Sequence, residues 1–154
     1  MISPLLWLIY INDLVSSKPV FEIQLGVSRS LFADDVTLMA TGKTITECVE
    51  KMQQALNGLE KWSKENKMEI SISDDITSKT VSCYYTKNLR EESNNKVIPK
   101  LILNGIEIYH NINPKFLGVI VDQGLTFNSH VEEKSKKMGK RNNILRALAG
   151  RNLG

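Results

Sequence analysis

Two adjacent carboxylates, Asp34 and Asp35, lie inside an apolar segment, Leu31–Met39. Long apolar, aromatic and β-branched side chains on both sides predict two short strands, with the acidic pair at or near the turn between them. Neighbouring like charges repel each other, and a divalent cation would neutralise them. Mg²⁺ prefers oxygen ligands and is usually held by one or two carboxylates together with phosphates and water. The pair therefore predicts a magnesium site for phosphoryl chemistry, although Asp is also a common turn residue that hydrogen-bonds to its local backbone.

A second acidic pair, Asp74 and Asp75, shows that adjacency alone is a weak signal. It lies in a segment rich in Ser and Thr, residues 71–78. A solvated turn explains this pair fully. The apolar surroundings of Asp34 and Asp35 are what distinguish the first pair as the candidate metal site.

Length and charge limit the interpretation. The 154 residues are enough for one domain with a core, or for part of a larger domain. Residues 134–154 carry seven basic side chains and no acidic one, whereas residues 1–133 carry 13 basic and 17 acidic side chains. The C-terminus is therefore a basic segment on a mildly acidic body. Such a segment either contacts nucleic acid or forms a solvated surface.

The cysteines and the first apolar segment bear on the compartment. Cys48 and Cys83 have neither metal-ligand spacing nor the density of a disulfide scaffold, which predicts a reducing, intracellular setting and leaves nucleus and cytoplasm open. Leu5–Ile11 is too short to span a bilayer and lacks the basic start of a signal peptide, so we expect no membrane partner. With Ser3 and Pro4 before it, this segment predicts a buried helix. Because the chain begins with a helix that is predicted to be buried, we expect that an upstream segment of the protein is missing.

The remaining pattern consists of short strands and two further helices. Strands are predicted around Asp34-Asp35, around the Asn104-Gly105 turn, and at Val20–Leu25, Met68–Ile72, Val81–Tyr85 and Phe116–Val121. Gly118 inside the last strand would permit close approach of another backbone. A charged surface loop is expected at Lys87–Lys96.

Capping-box spacing predicts where both later helices begin. Thr44–Glu47 should open a helix that reaches about Lys67, and Ser129–Glu132 should open a basic helix that continues toward Gly150. The first of these helices repeats apolar residues at helical spacing, which predicts core packing rather than a ligand site: Val49, Met52, Leu56, Leu59 and Trp62. The element order predicts an α+β fold, an antiparallel sheet with helices on one face.

Five short motifs occur in a fixed order along the chain. They are Ile2–Leu6 (ISPLL), Tyr10–Leu14 (YINDL), Phe32–Asp35 (FADD), Leu59–Trp62 (LEKW) and Lys115–Val119 (KFLGV). Together they resemble the reverse transcriptases of non-LTR retrotransposons, particularly the jockey-like elements. The resemblance covers nearly the whole chain. It implies a fragment of an RNA-directed DNA polymerase, a nucleotidyltransferase, whose partners are an RNA template, a DNA primer and deoxynucleoside triphosphates; the oligomeric state stays open.

The resemblance also implies a fold and a catalytic site. Residues 1–125 would be a partial right-hand polymerase palm, and residues 126–154 the start of a helical thumb. Asp34 would be a ligand of catalytic Mg²⁺ and Asp35 its supporting neighbour in the same metal site, where two metal ions activate the primer's 3′ hydroxyl and stabilise the leaving pyrophosphate. Lys79 resembles a lysine that stabilises charge on the triphosphate, or is a solvated strand lysine.

The resemblance further implies nucleic-acid contacts. Phe116, Leu117 and Gly118 resemble the strand that grips the primer end, which can equally be an ordinary core strand. The thumb-like helix would contact the phosphates of the template–primer duplex through four cations: Lys136, Lys137, Lys140 and Arg141.

The family's upstream half, which supplies the other essential metal-binding aspartate, has no counterpart in this chain. We therefore expect the chain to be catalytically silent by itself. The alternative is a non-catalytic nucleic-acid-binding or interaction remnant that uses only the basic C-terminal helix.

Overall fold

The computed structural model describes residues 3–16, 26–86 and 99–151. Its helices are α1 (Ser3–Ser16), α2 (Ile45–Glu65) and α3 (Asn128–Arg151). Its strands are β1 (Val27–Phe32), β2 (Asp35–Ala40), β3 (Val81–Ser82), β4 (Ile102–Leu103), β5 (Ile106–Glu107), β6 (Tyr109–His110), β7 (Lys115–Phe116) and β8 (Val119–Ile120). This mixture of helices and short strands agrees with the predicted α+β class.

Strand pairing differs from the single sheet that the sequence predicts. Within the described ranges, β1 pairs with β2, β4 with β5 and β7 with β8, each as a separate two-stranded antiparallel ladder. The predicted antiparallel pairing is therefore confirmed, but no strand of one of these ladders is hydrogen-bonded to a strand of another. The physical reason is length: β4, β5, β7 and β8 have two residues each, which is enough to close a turn but not to extend a sheet.

The chain divides into two compact units, residues 1–80 with 97–109 and residues 81–96 with 110–154. The first unit contains a hydrophobic core contributed by α1, α2 and the β4–β5 region. Its buried side chains are Ile11, Leu14, Leu56, Leu59, Trp62, Leu103 and Ile108. Leu56, Leu59 and Trp62 follow the helical spacing that predicted them as core residues.

Helix α2 begins as its capping box predicts. The backbone N–H of Glu47 donates to Thr44 Oγ1 at 3.2 Å, and Glu47 Oε2 accepts from the N–H of Lys43 at 2.9 Å. Further along, the amide of Gln53 exchanges two hydrogen bonds with the backbone of Ile102, at 2.8 and 2.9 Å. Helix α2 thus orders the β4–β5 hairpin, whose Asn104-Gly105 turn is confirmed, with φ of +52° and +77°.

Helix α1 is confirmed as a helix but is only partly buried, contrary to prediction. Ile11 and Leu14, which lie on one edge of the helix, are 5% and 2% exposed. The apolar side chains that remain more than half exposed are Leu5, Leu6, Leu8 and Ile9. A helix buries only the face that packs on another element. An apolar run that covers the whole helix surface cannot indicate which face that is.

The two strands predicted around the second acidic pair are largely wrong. Residues 68–73 form no strand, and Val81–Tyr85 is reduced to β3. Met68, Ile70 and Ile72 nevertheless alternate along this segment, and all three side chains pack against the core. Alternation reports which side chains are buried, whereas a strand also needs a ladder partner for its backbone.

The predicted strand at Phe116–Val121 is a hairpin instead. Strands β7 and β8 are joined by Leu117 and Gly118, with φ of +46° and +84°. Gly118 therefore serves the turn rather than close backbone approach, and a Cβ added there would meet no atom within 4 Å. The error arose because an apolar run of this length fits one strand as well as two very short ones.

Helix α3 begins one residue before the predicted Ser129 cap. The carboxylate of Asp122 accepts hydrogen bonds from the N–H groups of Thr126, at 2.9 Å, and Phe127, at 2.5 Å. These bonds, chiefly the one from Thr126, lower the pKa of Asp122. Asp122 thus orders the turn that leads into the helix, which the sequence spacing did not reveal. Helix α3 also contacts β8.

Two predicted elements, the strand at Val20–Leu25 and the loop at Lys87–Lys96, lie outside the described residues. Among the helices of residues 3–16, 26–86 and 99–151, none combines the length and the apolar character needed to cross a bilayer.

Candidate metal and nucleic-acid sites

The acidic hairpin, β1–β2 with its tip, has the form that the sequence predicts. Phe32 pairs with Asp35 as the last rung of the ladder, so that Ala33 and Asp34 form a two-residue tip. Asp35 is the first residue of β2, and both carboxylate residues are exposed. The ladder places the two adjacent acidic residues at one end of a six-rung hairpin.

Neither carboxylate of the acidic hairpin has a hydrogen-bond or ion-pair partner among the described residues. Within residues 3–16, 26–86 and 99–151, no group of three or more His, Cys, Asp and Glu side chains could hold a metal ion. Asp34 and Asp35 therefore offer the oxygen donors that suit Mg²⁺, but only two of the residues that a complete site would use. The donor set fits part of a magnesium site.

The second acidic pair is organised differently. Asp75 Oδ1 accepts from the hydroxyl of Thr77 at 2.6 Å, from the N–H of Thr77 at 2.8 Å and from the hydroxyl of Ser73 at 3.1 Å. The hydrogen bond from the Thr77 hydroxyl is the largest of the effects that lower the pKa of Asp75. The solvated turn predicted for this pair is thus observed around Asp75.

Elements of the first unit support the acidic hairpin from one side. Leu31 and Leu38, on opposite strands, pack against the core, and α2 contacts both strands. At the tip, the indole Nε1–H of Trp7 donates to the carbonyl oxygen of Ala33 at 3.1 Å. The sequence did not predict this bond, because nothing in helical spacing links Trp7 to a residue 26 positions away.

Lys79 lies in the first unit and is exposed. Its neighbours order the local backbone: Ser78 Oγ donates to the carbonyl of Thr80 at 2.7 Å, and Thr80 Oγ1 donates to the carbonyl of Ser71 at 2.7 Å. This segment is a bend rather than the predicted strand. A role for Lys79 with a triphosphate stays a prediction.

Phe116, Leu117 and Gly118 lie together on the β7–β8 hairpin in the second unit, and all three are exposed. His130 of α3 accepts a hydrogen bond from the N–H of Ile120 at 3.2 Å. Lys115 and Glu133 form an ion pair at 3.8 Å. The structure thus brings the predicted primer-contacting residues next to the start of the basic helix.

The cations of α3 fall into two groups. Lys136 pairs with Glu132 at 2.6 Å, and Lys137 pairs with Glu133 one turn earlier. These lysines lower the pKa values of the two glutamates. Lys140 and Arg141 have no ion pair among the described residues, and every described side chain from 134 to 149 is exposed. Half of the predicted phosphate-binding set is therefore already paired with a carboxylate.

The sequence is similar to those of several polymerases from mobile elements. It is 27% identical over 131 residues to the RNA-directed DNA polymerase from mobile element jockey of Drosophila funebris, covering 84% of this chain and 13% of that protein. It is 30% identical over 159 residues to the retrovirus-related Pol polyprotein from type-1 retrotransposable element R1 2 of Nasonia vitripennis, covering 99% of this chain and 35% of that protein. The chain thus spans about a third or less of the length of these relatives. No protein-family model matches it, and no solved structure matches it.

Proposed function

This chain is a relative of the RNA-directed DNA polymerases of jockey and R1 non-LTR retrotransposons, and we propose that it is a part of such a polymerase that carries one portion of the metal site. The observation that carries the proposal is the acidic hairpin. It exposes two adjacent carboxylates that form no hydrogen bond or ion pair with any described residue. The proposal includes the assignment of residues 1–125 to a partial palm and of residues 126–154 to the start of a thumb.

In this proposal, Asp34 is the metal ligand and Asp35 supports it. Bound Mg²⁺ would supply activation of the primer's 3′ hydroxyl and stabilisation of the leaving pyrophosphate. The hairpin would hold the two carboxylates in place, because Leu31 and Leu38 of its strands pack against the core. The described residues form no group of three or more acidic, His or Cys side chains, and we expect a further ligand from another part of the polymerase. The chain by itself is therefore expected to be catalytically silent.

The other predicted site residues would act on the substrates. Lys79 would place a cation near the triphosphate of the incoming deoxynucleotide. Phe116, Leu117 and Gly118 would contact the primer end, and α3 would contact phosphates of the RNA template and DNA primer. Phosphate contacts supply affinity and position without reading sequence, and the resulting affinity falls with salt.

Primer extension tests the catalytic part of the proposal. The purified chain should incorporate no deoxynucleotide. A chimera in which residues 1–154 replace the aligned region of the R1 relative should extend a primer on an RNA template. Asp34→Asn in the chimera should lower that activity on the order of a hundredfold, because a metal ion supplies several kcal/mol of charge stabilisation.

The matched control is Asp75→Asn in the same chimera, since Asp75 also belongs to an adjacent pair but is engaged by its own turn. This control should retain activity. Extension by the isolated chain that depends on Asp34 would contradict the expected silence. A chimera that extends primers equally well with Asp34→Asn would contradict the metal-ligand role.

A second candidate function rests on the exposure of α3. A helix with exposed cations along most of its length could bind nucleic acid without any catalysis. Binding to an RNA–DNA hybrid should then be lost when Lys136, Lys137 and Lys140 are replaced together, and should be unaffected by Asp34→Asn or by Mg²⁺. A Mg²⁺-dependent component that Asp34→Asn removes would favour the polymerase proposal.

A further inference from the structure

The tip of the acidic hairpin differs from the other two hairpin tips of the described chain. Asn104-Gly105 and Leu117-Gly118 each have two positive φ angles and a glycine at the second position. Two positive φ angles with glycine at the second position are typical of two-residue hairpin turns. At the acidic tip only Ala33 has a positive φ, +53°, and neither tip residue is glycine.

Ala33 therefore occupies a backbone conformation that its Cβ disfavours. A left-handed conformation is unfavourable for a residue with a Cβ, and Ala lacks the polar side chain that lets Asn or Asp adopt it. Such conformations persist where surrounding groups hold them. The acidic tip has such an interaction from outside its own ladder.

Trp7 supplies that interaction. Its indole N–H donates to the carbonyl oxygen of Ala33 at 3.1 Å. Because the peptide unit is planar, fixing this carbonyl also fixes the amide nitrogen and Cα of the next residue, Asp34. One hydrogen bond thus controls the orientation of the peptide that carries the proposed metal ligand.

The indole of Trp7 is itself held by neighbouring aromatic rings. Its ring centroid lies 6.3 Å from that of Tyr10, and Tyr10 lies 6.4 Å from Trp62 on α2, both tilted pairs. The hydroxyl of Tyr10 donates to the carbonyl of Asn66, just beyond the end of α2. Trp7 is half-buried and packs against the core. Its N–H is therefore presented to the hairpin tip from a fixed support.

We propose that Trp7 is a positioning residue of the acidic hairpin: its indole N–H holds the Ala33–Asp34 peptide in the orientation in which Asp34 and Asp35 bind a divalent cation. The inference rests on the proposed metal site and names the group that orients it. Trp7 does not touch the metal or the substrates.

The chain offers a matched control. Trp62 belongs to the same aromatic group, but its indole Nε1 is buried and has no hydrogen-bond acceptor within the described residues. Trp7→Phe and Trp62→Phe each keep an aromatic ring and remove one N–H. Only the first of these removes a hydrogen bond to the hairpin.

The test uses NMR spectra of the full chain titrated with Mn²⁺, which binds the same carboxylate ligands as Mg²⁺ and broadens nearby resonances. In the unsubstituted chain, Mn²⁺ should broaden the amide signals of Asp34 and Asp35 first. Trp7→Phe should shift the amide signals of residues 33–35 and weaken Mn²⁺ binding about fivefold, the effect of losing one neutral hydrogen bond. Trp62→Phe should leave the tip signals and the Mn²⁺ affinity unchanged.

The outcomes separate this inference from the function on which it rests. If the unsubstituted chain shows no Mn²⁺ broadening at the tip, the proposed metal site is wrong. If Mn²⁺ broadens the tip and Trp7→Phe leaves both the tip signals and the affinity unaltered, only the positioning role is wrong. An equal loss of affinity in both Phe variants, with equal losses of thermal stability, would assign the effect to general packing and overturn the role of the N–H.

Discussion

The two acidic pairs of this chain have the same composition and opposite organisation. Asp75 directs one carboxylate oxygen to three donors within its own turn, so its charge stabilises the local backbone. Asp34 and Asp35 have no such donors among the described residues and are exposed at the end of a ladder that packs on the core. The charge of Asp75 thus stabilises the fold, whereas the charges of Asp34 and Asp35 are exposed and available to a ligand.

The same contrast divides the basic helix. Lys136 and Lys137 pair with glutamates one turn earlier, while Lys140 and Arg141 have no ion-pair partner in the described ranges. A charge that is already paired must give up its partner before it can bind a ligand. Surface ion pairs stabilise a fold only slightly. Side chains without an ion pair, such as Lys140 and Arg141 within the described ranges, are nevertheless the better candidates for contacts with a ligand.

The largest expected effect concerns divalent metal. Asp34→Asn should reduce Mn²⁺ affinity at the hairpin by about tenfold or more, because one of two carboxylates loses its charge. Asp75→Asn should leave the affinity unchanged, because its carboxylate is engaged by Thr77 and Ser73. Mn²⁺-induced broadening of the amide signals measures both. Equal affinity losses in the two variants would remove the distinction between the pairs.

A smaller effect is expected for nucleic acid. Replacing Lys140 and Arg141 together with Gln should weaken binding to an RNA–DNA hybrid and reduce the slope of log affinity against log salt by about 2, one for each lost phosphate contact. The control replaces Lys136 and Lys137, which should reduce the slope less because both are paired with glutamates. Fluorescence anisotropy across a salt series gives both slopes. A larger reduction from the paired lysines would reverse the interpretation.

The smallest expected effect is on the pH dependence of thermal stability. The hydrogen bonds to Asp75 lower its pKa in the folded chain, so its stabilising contribution is complete above the ordinary Asp value of about 3.9 and is lost as the pH falls through the lowered value. At about pH 7, Asp75→Asn should lower the melting temperature slightly, and the difference from the unsubstituted chain should shrink toward about pH 3. Thermal melts at both pH values measure this difference.

The control for the acid effect is Asp34→Asn, which removes the same charge from a carboxylate without hydrogen-bond donors in the described part of the chain. Its melting temperature should not fall at about pH 7, since no native hydrogen bond is lost. A greater stability loss from Asp34→Asn than from Asp75→Asn would show that the fold depends on the exposed pair.

Features that depend on a few neighbouring residues were predictable from the sequence. The acidic hairpin, the Thr44–Glu47 cap and the Asn104-Gly105 turn are confirmed, because each is decided by hydrogen bonds or dihedral preferences within a short segment. The family resemblance, which rested on five short motifs in a fixed order, is confirmed by the relatives that the sequence matches.

Features that depend on distant partners were predicted less well. The burial of α1 was overestimated because one helix face packs and the others do not. The strand at Phe116–Val121 proved to be a hairpin, and Asp122 rather than the Ser129 spacing orders the start of α3. The roles of Lys79 and of the α3 cations in a complete polymerase stay predictions.

The sequence by itself determined the candidate site: two adjacent carboxylates in an apolar frame, at a turn whose flanking strands follow from side-chain type. Only the tertiary structure decided which carboxylates are engaged by the fold and which group orients the exposed pair. The reason is that the bond from Trp7 to Ala33 joins residues 26 positions apart. Such a contact is set by how α1, α2 and the hairpin pack, and no local pattern encodes it.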